Sequence, residues 1–144
     1  MEESLQSPRA VCGRLYVATD LRHLAATREG ERTWWCVAKA SVHGDLGIIY
    51  QKSVGIKYIF KFLKFEEPQQ FCSSFGMATG QIEILTVLSL PVTVQQLRRR
   101  DSEFRALKAV RRNFQNRWFD IEDEKVESFY NHLIVQGKPR KVQE

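Results

Sequence analysis

Cysteine is scarce in this 144-residue chain, long apolar runs are missing, and no catalytic signature can be found. The longest nearly unbroken apolar stretch, Ile82 to Leu90, is far short of the roughly 20 residues that cross a bilayer. The opening MEESLQSPRAV carries two acids and no apolar core, so it does not read as a secretory signal. The three cysteines, Cys12, Cys36 and Cys72, lie far apart and share no metal-ligand spacing. An odd number without an export signal predicts reduced thiols and an intracellular protein of the cytoplasm or nucleus, or of a virion, that is not secreted. Only four prolines, with 43% apolar and 27% charged residues, argue against wholesale disorder. A chain of this length is one domain, able to bury about two-thirds of its unfolded surface.

The candidate chemical groups are isolated. His23, His43 and His132 stand singly, without the spacing of a metal site or a catalytic triad. Gly55, Gly76 and Gly80 make no phosphate loop. Asp45 and Glu83 invite comparison with a metal-nuclease pair, but the lysine such a site places two residues after the glutamate is Leu85 here. The expectation is a non-enzymatic protein with no metal, no cofactor and no small-molecule substrate.

What the chain does have is concentrated positive charge. Arg98, Arg99, Arg100, Arg105, Lys108, Arg111, Arg112 and Arg117 face only Asp101 and Glu103 in the same stretch. Eight basic less two acidic residues give a local charge of +6 in a chain whose net charge is +5. Leu97, Phe104, Leu107, Val110, Phe114 and Trp118 recur at gaps that place them on one face, which predicts a single basic helix over 97–119. An exposed helix ordinarily mixes signs, because like charges four residues apart repel. Two explanations remain open. Either the arginines bind phosphate oxygens of a polyanion, or they pair with the acidic run Asp120, Glu122, Asp123, Glu124 and Glu127.

The remaining elements suggest an α+β domain over residues 11–136, between an N-terminal arm (1–10) and a basic C-terminal tail (137–144). Val11 to Thr19 reads as a half-solvated strand and Asp20 to Ala26 as a capped helical turn. Thr33 to Val42 is a second strand, with Trp34 and Trp35 on opposite faces. Ile48 to Phe65 is ambiguous. Lys57, Lys61 and Lys64 fit the polar face of a helix, which is the reading taken, although its aromatic content suits a strand. Glu66 to Gly80 reads as a loop, and Gln81 to Leu90 as a covered strand ended by Pro91. A second helix is expected from an Asp120 cap to Gly137, with Val126, Phe129, Tyr130 and Leu133 as its apolar stripe. The architecture predicted is a small antiparallel sheet with helices packed on it in the C-terminal third.

Two resemblances follow from these residues. Arg98 to Leu107 resembles the arginine–aromatic signature of phosphoinositide-binding phox-homology domains. Asp101 stands where that signature has its aromatic residue, and RNFQNRWFDIED replaces the proline-rich loop, so no role is carried over. The basic-aromatic segment Lys57-Tyr58-Ile59-Phe60-Lys61-Phe62-Leu63 precedes the apolar strand Gly80-Gln81-Ile82-Glu83-Ile84-Leu85-Thr86 and the C-terminal helices. That layout is similar to the small matrix proteins of rhabdoviruses and related negative-strand RNA viruses. The resemblance implies a basic, non-enzymatic, single-domain protein bridging nucleocapsid and membrane.

The partners expected are therefore RNA or a ribonucleoprotein first and an anionic membrane surface second, with self-association also open. The arginines and lysine of 98–117 would bind the polyanion, while Trp35, Lys57, Tyr58, Lys61 and Lys64 are candidates for base stacking or membrane contact. The alternatives are a sequence-independent RNA-binding accessory protein, such as a viral suppressor of RNA silencing, and a protein-interaction module with no polyanion ligand.

Overall fold

Residue alternation in the central part of the chain produces one sheet, seen in a computed structural model that describes residues 13–18, 24, 27–52, 54–74, 76–99, 104, 118–121 and 123–137. In order along the chain come β1 (Gly13–Ala18), β2 (Arg32–Val37), β3 (Leu46–Gln51), β4 (Gly55–Phe65), α1 (Gln70–Ser73), β5 (Ala78–Val92), α2 (Val94–Leu97), β6 (Trp118–Ile121) and α3 (Asp123–Gly137). The strands form a six-stranded sheet in the order β2-β5-β4-β3-β1-β6. The fold is α+β.

The sheet is mixed rather than antiparallel, because β1 pairs in parallel with β3. Between them the chain crosses to the far edge to lay down β2 against β5, then returns beside β1. Residue patterns specify strands but not this choice of neighbour. Both faces of the sheet are covered. Leu15, Ile48, Ile56, Ile59, Leu88 and Val92 belong to one apolar cluster, and Tyr16, Ile49, Phe60, Phe62, Ile82 and Ile84 to another. β1 therefore has no half-solvated side: Leu15 faces the first cluster, Tyr16 the second, and Arg14 is itself buried.

The segment 48–65 corrects the helical reading. It is the β3–β4 hairpin, with Ile48 opposite Ile59 and Gly47 opposite Phe60. The lysine spacing suited a helix, but the β-branched and aromatic residues fill two apolar clusters only when they alternate across a sheet. Gly47 is required by a close approach, since a Cβ there would lie 2.1 Å from the Phe60 ring. The 66–80 stretch is not all loop: it holds α1 and the first residues of β5. Pro91 lies inside β5, which ends at Val92.

α3 fulfils the expected stripe. Val126, Phe129 and Leu133 are buried in the first cluster, where each apolar side chain contributes about 1.5–3 kcal/mol. Its start is shifted, however, and Asp120 is not its cap but a residue of β6. The single helix expected over 97–119 is likewise corrected at its ends, where α2 stops at Leu97 and Trp118 and Phe119 lie in a strand. Leu97 and Phe104 do reach the core, with Phe104 edge-on to Phe129 at 4.9 Å between ring centroids. The reduced-thiol expectation is corrected for two cysteines, since Cys36 on β2 and Cys72 on α1 form a disulfide. Cys12, the arm 1–10, the turn expected over 20–26 apart from Leu24, and the tail beyond Gly137 lie outside the described residues.

Candidate polyanion interface

The basic segment begins on a fixed base. Thr93 Oγ1 accepts from Gln96 N–H at 3.2 Å while Gln96 Oε1 accepts from Thr93 N–H at 2.7 Å, closing a reciprocal cap on α2. Leu97 is fully buried behind that cap. The Arg98 N–H donates to the Val94 carbonyl at 2.9 Å, so the exposed Arg98 and Arg99 leave the core from a fixed turn. The T-x-x-Q spacing of Thr93 and Gln96 is the sequence signature of this cap. Arg100, Arg105, Lys108, Arg111, Arg112 and Arg117 lie outside the described residues.

The topology nevertheless defines where this segment is attached. Val92 is in register with Ile56, Ile56 with Tyr50, and Gln51 with both Gly55 and Ala18. These residues mark one end of the sheet, the end that carries the β3–β4 turn. β5 and α2 deliver Arg98 and Arg99 there. Tyr50 reports the proximity: burial raises its phenol above the ordinary value, and the Arg98 charge opposes the shift. Trp118 pairs with Tyr16, two residues from Ala18, so the chain also re-enters the sheet toward this end.

The second set of candidates does not form one surface. Tyr58 is buried, and its hydroxyl donates to the Leu24 carbonyl at 3.1 Å. Trp35 is buried in the second cluster, while Trp34 is half-buried against it. Neither Trp35 nor Tyr58 is offered to a base or a bilayer, because the two-sided core needs them. Lys57 and Lys64 stand at opposite ends of β4, about 23 Å apart at the usual rise of a strand. Lys61 is half-buried between Glu83 and Leu46 in register, and Glu83 is also 4.0 Å from Arg32.

The opposite end of the sheet is mixed in charge and carries a site that sequence reasoning missed. Arg14 Nη1 donates to Asp45 Oδ2 at 3.0 Å, and the same oxygen accepts from Val42 N–H at 2.9 Å. Both partners are buried, and Arg14 Nε also lies 3.1 Å from the largely exposed Asp120. Asp120 thus pairs with a core arginine. Beside it, Ala38 N–H donates to the Tyr16 hydroxyl at 3.1 Å. This end also bears the exposed Lys39, Lys64, Glu66 and Glu67, and two exposed aromatics, Phe65 and Phe71. Among the described residues, the exposed aromatics Phe65 and Phe71 and the exposed Arg98 and Arg99 are therefore at opposite ends.

No family model matches the sequence, and neither does any curated protein. Solved structures match the fold. The chain is similar to protein Atu2648 of Agrobacterium tumefaciens, with TM-score 0.58 and 13% identity over 93% of this chain and all of that one. It is similar to a hypothetical protein of Leishmania major, with TM-score 0.63 and 10% identity over 89% and 98% of the two chains. Protein PSPTO5229 of Pseudomonas syringae gives TM-score 0.59 and 14% identity over 83% and 98%. At these identities the likeness is one of fold.

Proposed function

We propose that this chain is a non-enzymatic RNA-binding protein that grips the phosphate backbone of a duplex through the basic segment 98–117. The observation that carries the reading is the +6 concentrated between Arg98 and Arg117, whose described start, Arg98 and Arg99, is exposed on a capped turn. Arginine forks bind phosphate oxygens in pairs, and every phosphate neutralised releases counterions. The segregation of side chains supports RNA over a membrane. A bilayer-facing surface sets large aromatic groups beside its cations, whereas among the described residues the exposed Phe65 and Phe71 lie at the other end of the sheet, with the aliphatic Val54 and Leu90 exposed at this one. It also supports a duplex over a single strand, because a stacking platform needs aromatics next to the basic groove and, among the side chains described, none is exposed beside Arg98 and Arg99.

The test is binding of the purified protein to a labelled RNA duplex and to anionic vesicles across a salt series. RNA binding should weaken steeply with salt, with a logarithmic slope of about −0.9 per phosphate contacted in a duplex. Replacing Arg98, Arg99, Arg105 and Lys108 by glutamate should abolish it. Vesicle binding without RNA binding would instead favour a matrix-like role at a membrane. Binding to neither would leave the arginines paired within the protein or with an acidic partner.

A further inference from the structure

The geometry points to a second row of phosphate contacts, Lys52 and Lys57, which extends the interface from Arg98 and Arg99 across the β3–β4 turn end of the sheet. This inference rests on the RNA-binding reading and assigns to it residues remote from the basic segment in sequence.

Lys52 is exposed in the turn joining β3 to β4, and its N–H donates to the Ala18 carbonyl at 3.2 Å. That bond ties the turn to the end of β1, next to the strand on which the chain re-enters at Trp118. Gly55, at φ +124, opens β4 after the turn in a backbone conformation open to glycine and little else. Lys57 sits at an irregularity in the ladder. Tyr50 pairs with Ile56 and Ile49 with Tyr58, which leaves Lys57 without a register partner on β3. The pairing with β5 skips it as well, passing from Val92 opposite Ile56 to Val87 opposite Tyr58. A bulge of this kind re-aims a side chain out of the regular alternation.

Neither lysine has an ion pair among the described residues, whereas Lys61 on the same strand lies opposite Glu83. The Glu29 carboxylate accepts from Val87 N–H at 3.0 Å, and Val87 is opposite Tyr58, the residue after Lys57. The four cations span the β3–β4 turn, β4 and the segment leaving α2, so they cross this end of the sheet instead of following one helix. A duplex offers phosphates on two strands, and cations spread over several elements present more contacts to them than Arg98 and Arg99 alone.

The experiment compares four full-length proteins by anisotropy with a labelled RNA duplex across a salt series, each checked for a wild-type thermal transition. They are the wild type, Lys52→Glu/Lys57→Glu, Arg98→Glu/Arg99→Glu, and Lys39→Glu/Lys64→Glu, whose two exposed lysines lie at the opposite end. The inference requires Lys52→Glu/Lys57→Glu to weaken binding about tenfold or more and to flatten the salt slope by about two contacts, while the opposite-end pair changes affinity less than about twofold. If Arg98→Glu/Arg99→Glu loses affinity but Lys52→Glu/Lys57→Glu does not, the second row is overturned and the RNA-binding reading stands. Equal losses at both ends overturn it as well, because attraction is then general. A wild type that binds no duplex overturns both.

Discussion

Arg14 is a cation on a strand whose neighbours, Leu15 and Tyr16, are core residues, and its burial is made tolerable by Asp45. Removing Asp45 leaves the buried guanidinium without its buried counter-ion and with the largely exposed Asp120 beside it. Asp45→Ala should therefore lower stability by about 3–5 kcal/mol in a denaturant titration, while Asp120→Ala, at a largely exposed carboxylate, should cost under about 1 kcal/mol. Tyr16 makes a second residue-scale prediction. Burial raises its phenol above the ordinary value of 10.0, and the Ala38 N–H, Ser41 and the Arg14 charge only partly oppose this. Tyr50 and Tyr58 shift in the same direction, chiefly through burial. Below about pH 10 the phenol is protonated in both states and the contribution is full. As pH rises further the unfolded chain ionises first, so stability falls until the folded phenol ionises too. The fall above pH 10 should be shallower in Tyr16→Phe, measured as unfolding free energy against pH.

α1, a helix of four residues, is too short to persist by itself, and its position depends on what holds it. Cys72 is fully buried and bonded to Cys36 on the edge strand β2, 36 residues earlier. Constraint of a loop that long contributes about 2–4 kcal/mol. Reduction, or Cys72→Ser, should lower the denaturant midpoint accordingly, with limited proteolysis first appearing in the 66–77 connection. α2 is equally short but is held by its cap. Thr93→Ala should cost about 1 kcal/mol and, on the RNA-binding proposal, also weaken duplex binding modestly, because Arg98 and Arg99 leave from that turn. An anisotropy titration beside the melt separates the two effects.

Across the whole molecule, Arg98, Arg99, Lys52 and Lys57 lie toward one end of the sheet, while the exposed aromatics among the described residues, Phe65 and Phe71, sit at the other. Phe65→Ser/Phe71→Ser should therefore leave affinity for an RNA duplex within about twofold of wild type, a comparison made at fixed salt. Much of this was legible beforehand. The core role of Leu97 and Phe104, the α3 stripe and the apolar β5 follow from periodicity, since side chains that must share a face recur at the period of the element. The α+β class and the concentration of charge also belong to the sequence alone. Only the tertiary structure decided that 48–65 is a hairpin, that β1 lies parallel to β3, that Arg14 meets Asp45 across 31 residues, and that Lys52 and Lys57 share an end with Arg98. The physical reason is common to all four. A local pattern specifies which face a residue occupies, but strand order and register determine which distant residues that face meets.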